Sequence, residues 1–337
     1  MDTEPEELQF LGSFGILREA YKIMRSCSRI LGALTLTLIL PLSFIILGHT
    51  LVSEPLFHKI HENEIDFEMQ AGSPDGDRTL KKISTEWTLV LVFEAAYLVF
   101  LCAFSLLSTA AVVYTVACMY TVKDMSYGKV MSVVPKVWKR LMITFLWFFV
   151  LLVVYNTALG SVLFLLVLMV GVDNLQSAPF IIGLTVVLFL FLTAYVYVSM
   201  VWHLASVISV LEEKYGMGAM QKSKDLIKGK RLPALVLIML YFILCGLIGG
   251  MFRVGVVHGF MHGVGTAYRF VYGTILVVGL CFVNLMGLLT QSVFYFVCKS
   301  YHHESIDKGS LSDHLEEYLG EYVPLKSSNI QLENLRV

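Results

Sequence analysis

Six times along its 337 residues the chain runs through a stretch apolar and long enough to cross a hydrocarbon core, and this recurrence limits its fold more than any other feature. A crossing helix needs roughly 20 predominantly apolar residues. The stretches are 30–51, 88–116, 141–172, 178–210, 234–251 and 270–297. Inside lipid each backbone N–H and C=O must find a partner within its own segment or in a closed barrel, and continuous apolar runs of this length suit only helices. The predicted fold class is therefore an all-α polytopic membrane protein. Composition agrees: 57% of residues are hydrophobic and 15% charged, where a globular chain carries about a quarter charged. A 30-residue helix reaches about 45 Å, so the second, third and fourth runs must tilt or project into water.

The net charge of −1 conceals a sorting of charge along the chain. Before the first, third and fifth runs lie segments of one design, "LREAYKIMRSCSRIL", "GKVMSVVPKVWKRL" and "GAMQKSKDLIKGKRL". Phe14, Leu17, Tyr21, Met24 and Leu31 recur at helical spacing in the first, and Val130, Val134, Val137, Trp138 and Leu141 in the second. Basic residues fill other positions, which is the pattern of an interfacial amphipathic helix. Pro135 is expected to bend or end the second such helix, and Pro233 to occupy the first turn of the fifth span. The resulting plan is six transmembrane helices arranged as three hairpins, each preceded by a basic amphipathic interfacial helix. Residues 1–298 form the membrane domain, with an N-terminal amphipathic helix at 8–29, a loop at 52–83 and basic preludes at 118–140 and 211–233. Residues 299–337 form a tail.

Two crossings per unit return the chain to one side, so all preludes and both termini share a compartment. Lys plus Arg number four in 1–29, five in 118–140, six in 211–233 and four in 299–337, against six in the opposite loops. The positive-inside tendency makes the richer side cytosolic. Expected partners are the bilayer itself and the anionic lipids of the cytosolic leaflet, contacted by Arg25, Arg29, Lys136, Lys139, Arg140, Lys222, Lys224, Lys228, Lys230 and Arg231. Cytosolic proteins could also be recruited through the termini, and nothing points to nucleic acid. The acidic start "MDTEPEELQF" argues against a cleaved signal peptide, leaving the first run as an anchor.

Glu94 is the one formally charged residue deep in any of the six runs. A buried carboxylate must be paired, wetted or protonated. Arg253 and Arg269 lie at the matching side of the membrane, and Arg269 is the favoured partner for a helix-bridging ion pair. The alternative is a carboxylate facing an aqueous path and carrying a proton or cation. Asn156, His203, Asn284 and Gln291 either join such a path or hydrogen-bond between helices, the latter being favoured. Cys27, Cys118 and Cys298 lie near helix ends, where palmitoylation would be chemically feasible, with apolar packing as the favoured reading.

The remaining signals are weak. His258 with His262, and His58 with His61, complete no known metal signature, and no metal or cofactor is assigned. "HENEID", "HHESID" and "SYGK" match fragments of catalytic patterns without a convergent set around them. In the acidic loop "SPDGD" reads as a turn, Gly246 and Gly250 form a G-x-x-x-G, and the tail holds an amphipathic "SDHLEEYLGEY" and a Tyr322-x-x-Leu325 sorting pattern.

The strings "EELQFLGSFGILREAYKI", "LTLTLILPLSFIILGH" and "EWTLVLVFEAAYLVFLCAFSLLSTAAVVYTVACMYT" together resemble a family of plant six-span membrane proteins, over nearly the whole chain. The resemblance implies a topology and a compartment, the endomembrane system or plasma membrane, and carries over no site residue. The general plan is also distantly similar to the membrane domains attached to some bacterial glycerophosphodiester phosphodiesterases. The expected function is noncatalytic, in scaffolding, trafficking or the lipid environment. The alternatives are a small-solute or ion transporter using Glu94 and a lipid-modifying membrane enzyme.

Overall fold

Nine α-helices account for nearly all the described residues, and no strand occurs among them. The computed structural model describes residues 7–69, 76–121, 126–171, 176–260, 263 and 265–303. Most of the "SPDGD" turn, His262 and the whole tail pattern around Tyr322 and Leu325 lie outside them. In chain order the helices are α1 (Ser13–Ser26), α2 (Ser28–Leu34), α3 (Leu40–Met69), α4 (Gly76–Tyr120), α5 (Tyr127–Val170), α6 (Ala178–Leu211), α7 (Met217–Leu226), α8 (Arg231–Phe252) and α9 (Thr266–Tyr301). Six helical segments are long and apolar enough to cross a membrane, in the order the sequence predicts: Ser28–Ile65, Lys81–Tyr120, Tyr127–Val170, Ala178–Leu211, Arg231–Val257 and Thr266–Tyr301.

Neighbours in sequence lie side by side, α3 against α4, α5 against α6 and α8 against α9. The last helix is the central rod, touching α1, α3, α4, α6 and α8. Its residues from Leu289 to Cys298 are almost continuously buried. Large aliphatic and aromatic side chains remain exposed along the outer faces of α4, α5, α6 and α8. An exposed apolar surface of that extent needs a lipid solvent rather than water.

The segment expected as a loop at 52–83 is mostly helix. Residues 52–69 continue α3 and 76–83 begin α4, so the two rods continue as one antiparallel pair. Among the contacts that hold it, Phe57 meets the edge of Trp87, and Glu86 pairs with Lys59 Nζ at 3.1 Å and accepts a hydrogen bond from Asn63 Nδ2 at 2.6 Å.

Of the two outcomes expected at Pro135, a bend or an end, the helix does not end there. The proline is exposed and sits inside α5, which runs unbroken for 44 residues, about 66 Å. An interior proline costs about 3 kcal/mol. Val130, Val133, Val134, Val137 and Leu141 around it are all buried, and each contributes roughly 1.5–3 kcal/mol, which outweighs the proline. The second basic prelude is thus the first turns of a spanning rod rather than a separate helix. Pro233 does fall in the first turn of α8.

The first prelude also turns a different face inward. Ile16, Ala20, Ile23, Cys27 and Leu31 are buried against the bundle, while Phe10 and Phe14 are 82% and 88% exposed and Tyr21 is exposed as well. This segment therefore has two apolar stripes, one for protein and one turned away from it. Further on, residues Thr35–Ile39 widen to a π-helical turn just before Pro41. That widening keeps the ring clear of the carbonyl one turn back.

Candidate functional site

Every basic prelude gathers at one end of the bundle. Cys27 Sγ donates to Met119 Sδ at the end of α4, and the Tyr127 hydroxyl donates to Thr37 Oγ1. Thr144 of α5 bonds Ser209 Oγ at 2.7 Å and accepts from the Gly216 amide. His302, after α9, sits 3.1 Å and 3.0 Å from the carbonyls of Leu226 and Lys228. Gly229 makes the turn between α7 and α8 at φ +91°, where a side chain would also strike the Tyr301 ring.

At the centre of this end lies Glu212, one residue beyond α6. It meets Lys222 Nζ at 2.8 Å and the Tyr295 hydroxyl at 2.7 Å, with Lys299 Nζ at 3.7 Å. Burial opposes its charge, but hydrogen bonds from Lys222 and Tyr295, with the charges of Lys222 and Lys299, hold the carboxyl below the usual carboxylate range. Lys222, expected to face lipid, is thus engaged in an internal ion pair with its side chain 18% exposed. Lys228 pairs with exposed Asp225 at 2.6 Å, and Lys230 lies over the Tyr301 ring at 5.2 Å. Lys214, Lys224 and Lys228, together with His302, line an open concavity around α7. Arg25, Arg29, Lys136, Lys139 and Arg231 are also exposed, and Arg140 is half-buried.

Glu94 has a partner that the sequence reading did not name. Its Oε1 lies 2.8 Å from His49 Nε2 on the adjacent α3, and the His49 ring stacks on Tyr97 at 4.0 Å between centroids and on Phe93 at 5.6 Å. The expected ion pair with Arg269 does not form. Arg269 Nε instead donates to the Val256 carbonyl at 2.9 Å. Arg253, with His258, binds Glu54 Oε1 at 3.1 Å and 2.7 Å. The reason is geometric. In an antiparallel pair of helices, facing residues move apart in number from a common turn, so His49 opposes Glu94 as Lys59 opposes Glu86. Both arginines belong to a different connection. His49 escaped notice because it carries no formal charge.

Of the neutral intramembrane groups, His203 and Asn284 come together and Asn156 does not. Asn156 is exposed and donates to the Leu152 carbonyl of its own helix. His203 Nδ1 lies 2.8 Å from Gln291 Oε1, and its ring meets Tyr241 edge-on. The Tyr241 hydroxyl donates to Asn284 Oδ1 at 3.0 Å, and Asn284 Nδ2 donates to Ser43 Oγ at 3.2 Å. This belt ties α3, α6, α8 and α9 across a cavity of about 200 Å³. Sequence reading found His203, Asn284 and Gln291 but neither Tyr241 nor Ser43, and it had no signal for the space between them.

Cys27, Cys118 and Cys298 are buried, so as packed none presents its thiol at the surface. Among the described residues, a side chain added at Gly246 or Gly250 would meet no neighbouring atom within 4 Å of its first carbon. Among the described residues no group of three His, Cys, Asp or Glu could hold a metal ion. A family model described as a domain of unknown function, DUF8558, matches residues 1–335. No curated protein and no solved structure matches the chain. The chain belongs to the DUF8558 family over almost its whole length.

Proposed function

We propose that this chain is a noncatalytic multi-span protein of the endomembrane system or plasma membrane, acting as a scaffold or in trafficking through its hold on the anionic cytosolic leaflet. The observation that carries the reading is the surface of the basic end. Phe10 and Phe14 stand almost fully exposed beside Arg18, Lys22 and Arg25, and exposed Lys139, Lys224 and Lys228 share that end. Exposed aromatics on a surface that also carries cations are costly in water and favourable at the headgroup level, where each nearby Lys or Arg adds about 1 kcal/mol with anionic lipid. On this reading the basic end is cytosolic, both termini lie there, and α1 rests in the interface. The resemblance to a plant six-span family is consistent with such a compartment.

Glu94 fits a structural role in this scheme. It is bonded to His49, and it is not among the described residues that line the central cavity. The full chain reconstituted in phosphatidylcholine vesicles containing phosphatidylserine tests the proposal. Photocrosslinking by an anionic diazirine lipid should exceed that by a phosphatidylcholine probe, and the triple variant Lys139→Gln, Lys224→Gln, Lys228→Gln should lose that excess several-fold. Equal labelling of wild type and variant would count against it.

A further inference from the structure

We propose that the central cavity is a binding site for an uncharged, hydroxyl-bearing lipid that enters sideways from the bilayer. Three observations converge on this. The first concerns unpartnered groups. Hydroxyl side chains in lipid-crossing helices ordinarily bond the carbonyl one turn back, and Ser43, Thr109, Thr115, Ser209 and Ser292 do so here. Ser108 and Thr290 do not. Both line the cavity, they are 1% and 7% exposed, and their hydroxyl oxygens have no hydrogen-bond partner. A buried hydroxyl left unpaired is destabilising, so two of them in the wall of one space, neither oxygen yet open to it, point to a ligand toward which they rotate and which supplies the missing bonds.

The second observation is electrostatic. The polar wall includes Ser108, His203, Tyr241, Asn284, Thr290 and Gln291, and no Lys, Arg, Asp or Glu is among the described residues that line the space. A phosphate or carboxylate would enter without a counter-charge in a low-dielectric site, which is strongly unfavourable. A hydroxyl both donates and accepts, matching unpaired hydroxyls that can do either.

The third is the route. Leu240, Leu244 and Phe282 line the cavity and are also exposed on the outer, lipid-compatible surface. The opening therefore faces hydrocarbon. At about 200 Å³ the space is somewhat larger than a site that accommodates benzene. It holds a polar end and the first ring or first few carbons, and the rest of the lipid stays in the bilayer. Sterols and diacylglycerols share this chemistry.

The test uses the full chain in phosphatidylcholine vesicles with three photoactivatable probes: a diazirine sterol, a diazirine diacylglycerol and a diazirine phosphatidic acid. One of the two neutral probes should label saturably within 237–244 or 282–294, competed by its own unlabelled form, and which one does so identifies the source. The double variant Ser108→Ala, Thr290→Val should cut that labelling about thirtyfold, the worth of two hydrogen bonds, while its melting temperature without added lipid stays level or rises. Leu244→Trp, which narrows the opening and leaves the polar wall intact, should cut labelling as well. Saturable labelling by phosphatidic acid at the same peptides, undiminished labelling in both variants, or a lower melting temperature of the double variant without lipid would overturn the proposal.

Discussion

At the residue scale the firmest polar feature is Glu212, which joins three elements through Lys222, Tyr295 and Lys299. Its lowered folded pKa fixes the sign of a pH dependence. The stabilisation is complete above the ordinary carboxylate pKa of about 4.3 and is lost as pH falls through the lower folded value. Glu212→Gln should therefore lower stability at pH 7 by on the order of 2 kcal/mol and flatten the acid limb of a melting-temperature series. A variant that melts like wild type at pH 7 would show that the cluster holds nothing together. Residues also mark where sequence reading stops. Glu94 was legible as an anomaly because one charge stood among apolar neighbours, but its partner His49 is formally neutral and became visible only when α3 and α4 lay side by side. Lys222 reads as a lipid contact by its neighbours in sequence, yet Glu212 sits across a turn from it.

At the scale of elements, apolar runs and their order were readable because the cost of placing backbone in lipid leaves few alternatives. Helix ends were less so. The acidic stretch after the first run has the composition of a loop but is helical for most of its length, since Lys59, Asn63 and Glu86 link its two strands of chain across the pair. Pro135 shows the same competition between local preference and packing. If α5 is one continuous rod there, Pro135→Ala restores a backbone bond and removes a clash, and the protein should become more stable by up to about 3 kcal/mol. Destabilisation by that change, read from thermal unfolding in nanodiscs, would mean that the proline is required for a break. The two stripes of α1 belong to this scale as well. Periodicity finds an apolar face, but only the assembled bundle shows that Ile16, Ala20 and Ile23 take the inner side and leave Phe14, with Phe10 in the turn before α1, outward.

For the whole molecule, the basic segments lie far apart in sequence and are brought to one end by the alternation of long helices, while Glu54, Glu86 and Glu94 fall toward the other. The central cavity belongs wholly to this level. It arises from the gap among α1, α3, α4, α6, α8 and α9, and no spacing in the chain announces it. The most direct test of the account is side-specific labelling of lysines with a membrane-impermeant reagent in sealed vesicles whose cytosolic face is outward. Lys139 and Lys228 should label together while Lys59 stays protected until detergent is added; labelling that separates Lys139 from Lys228 across the bilayer would contradict the account.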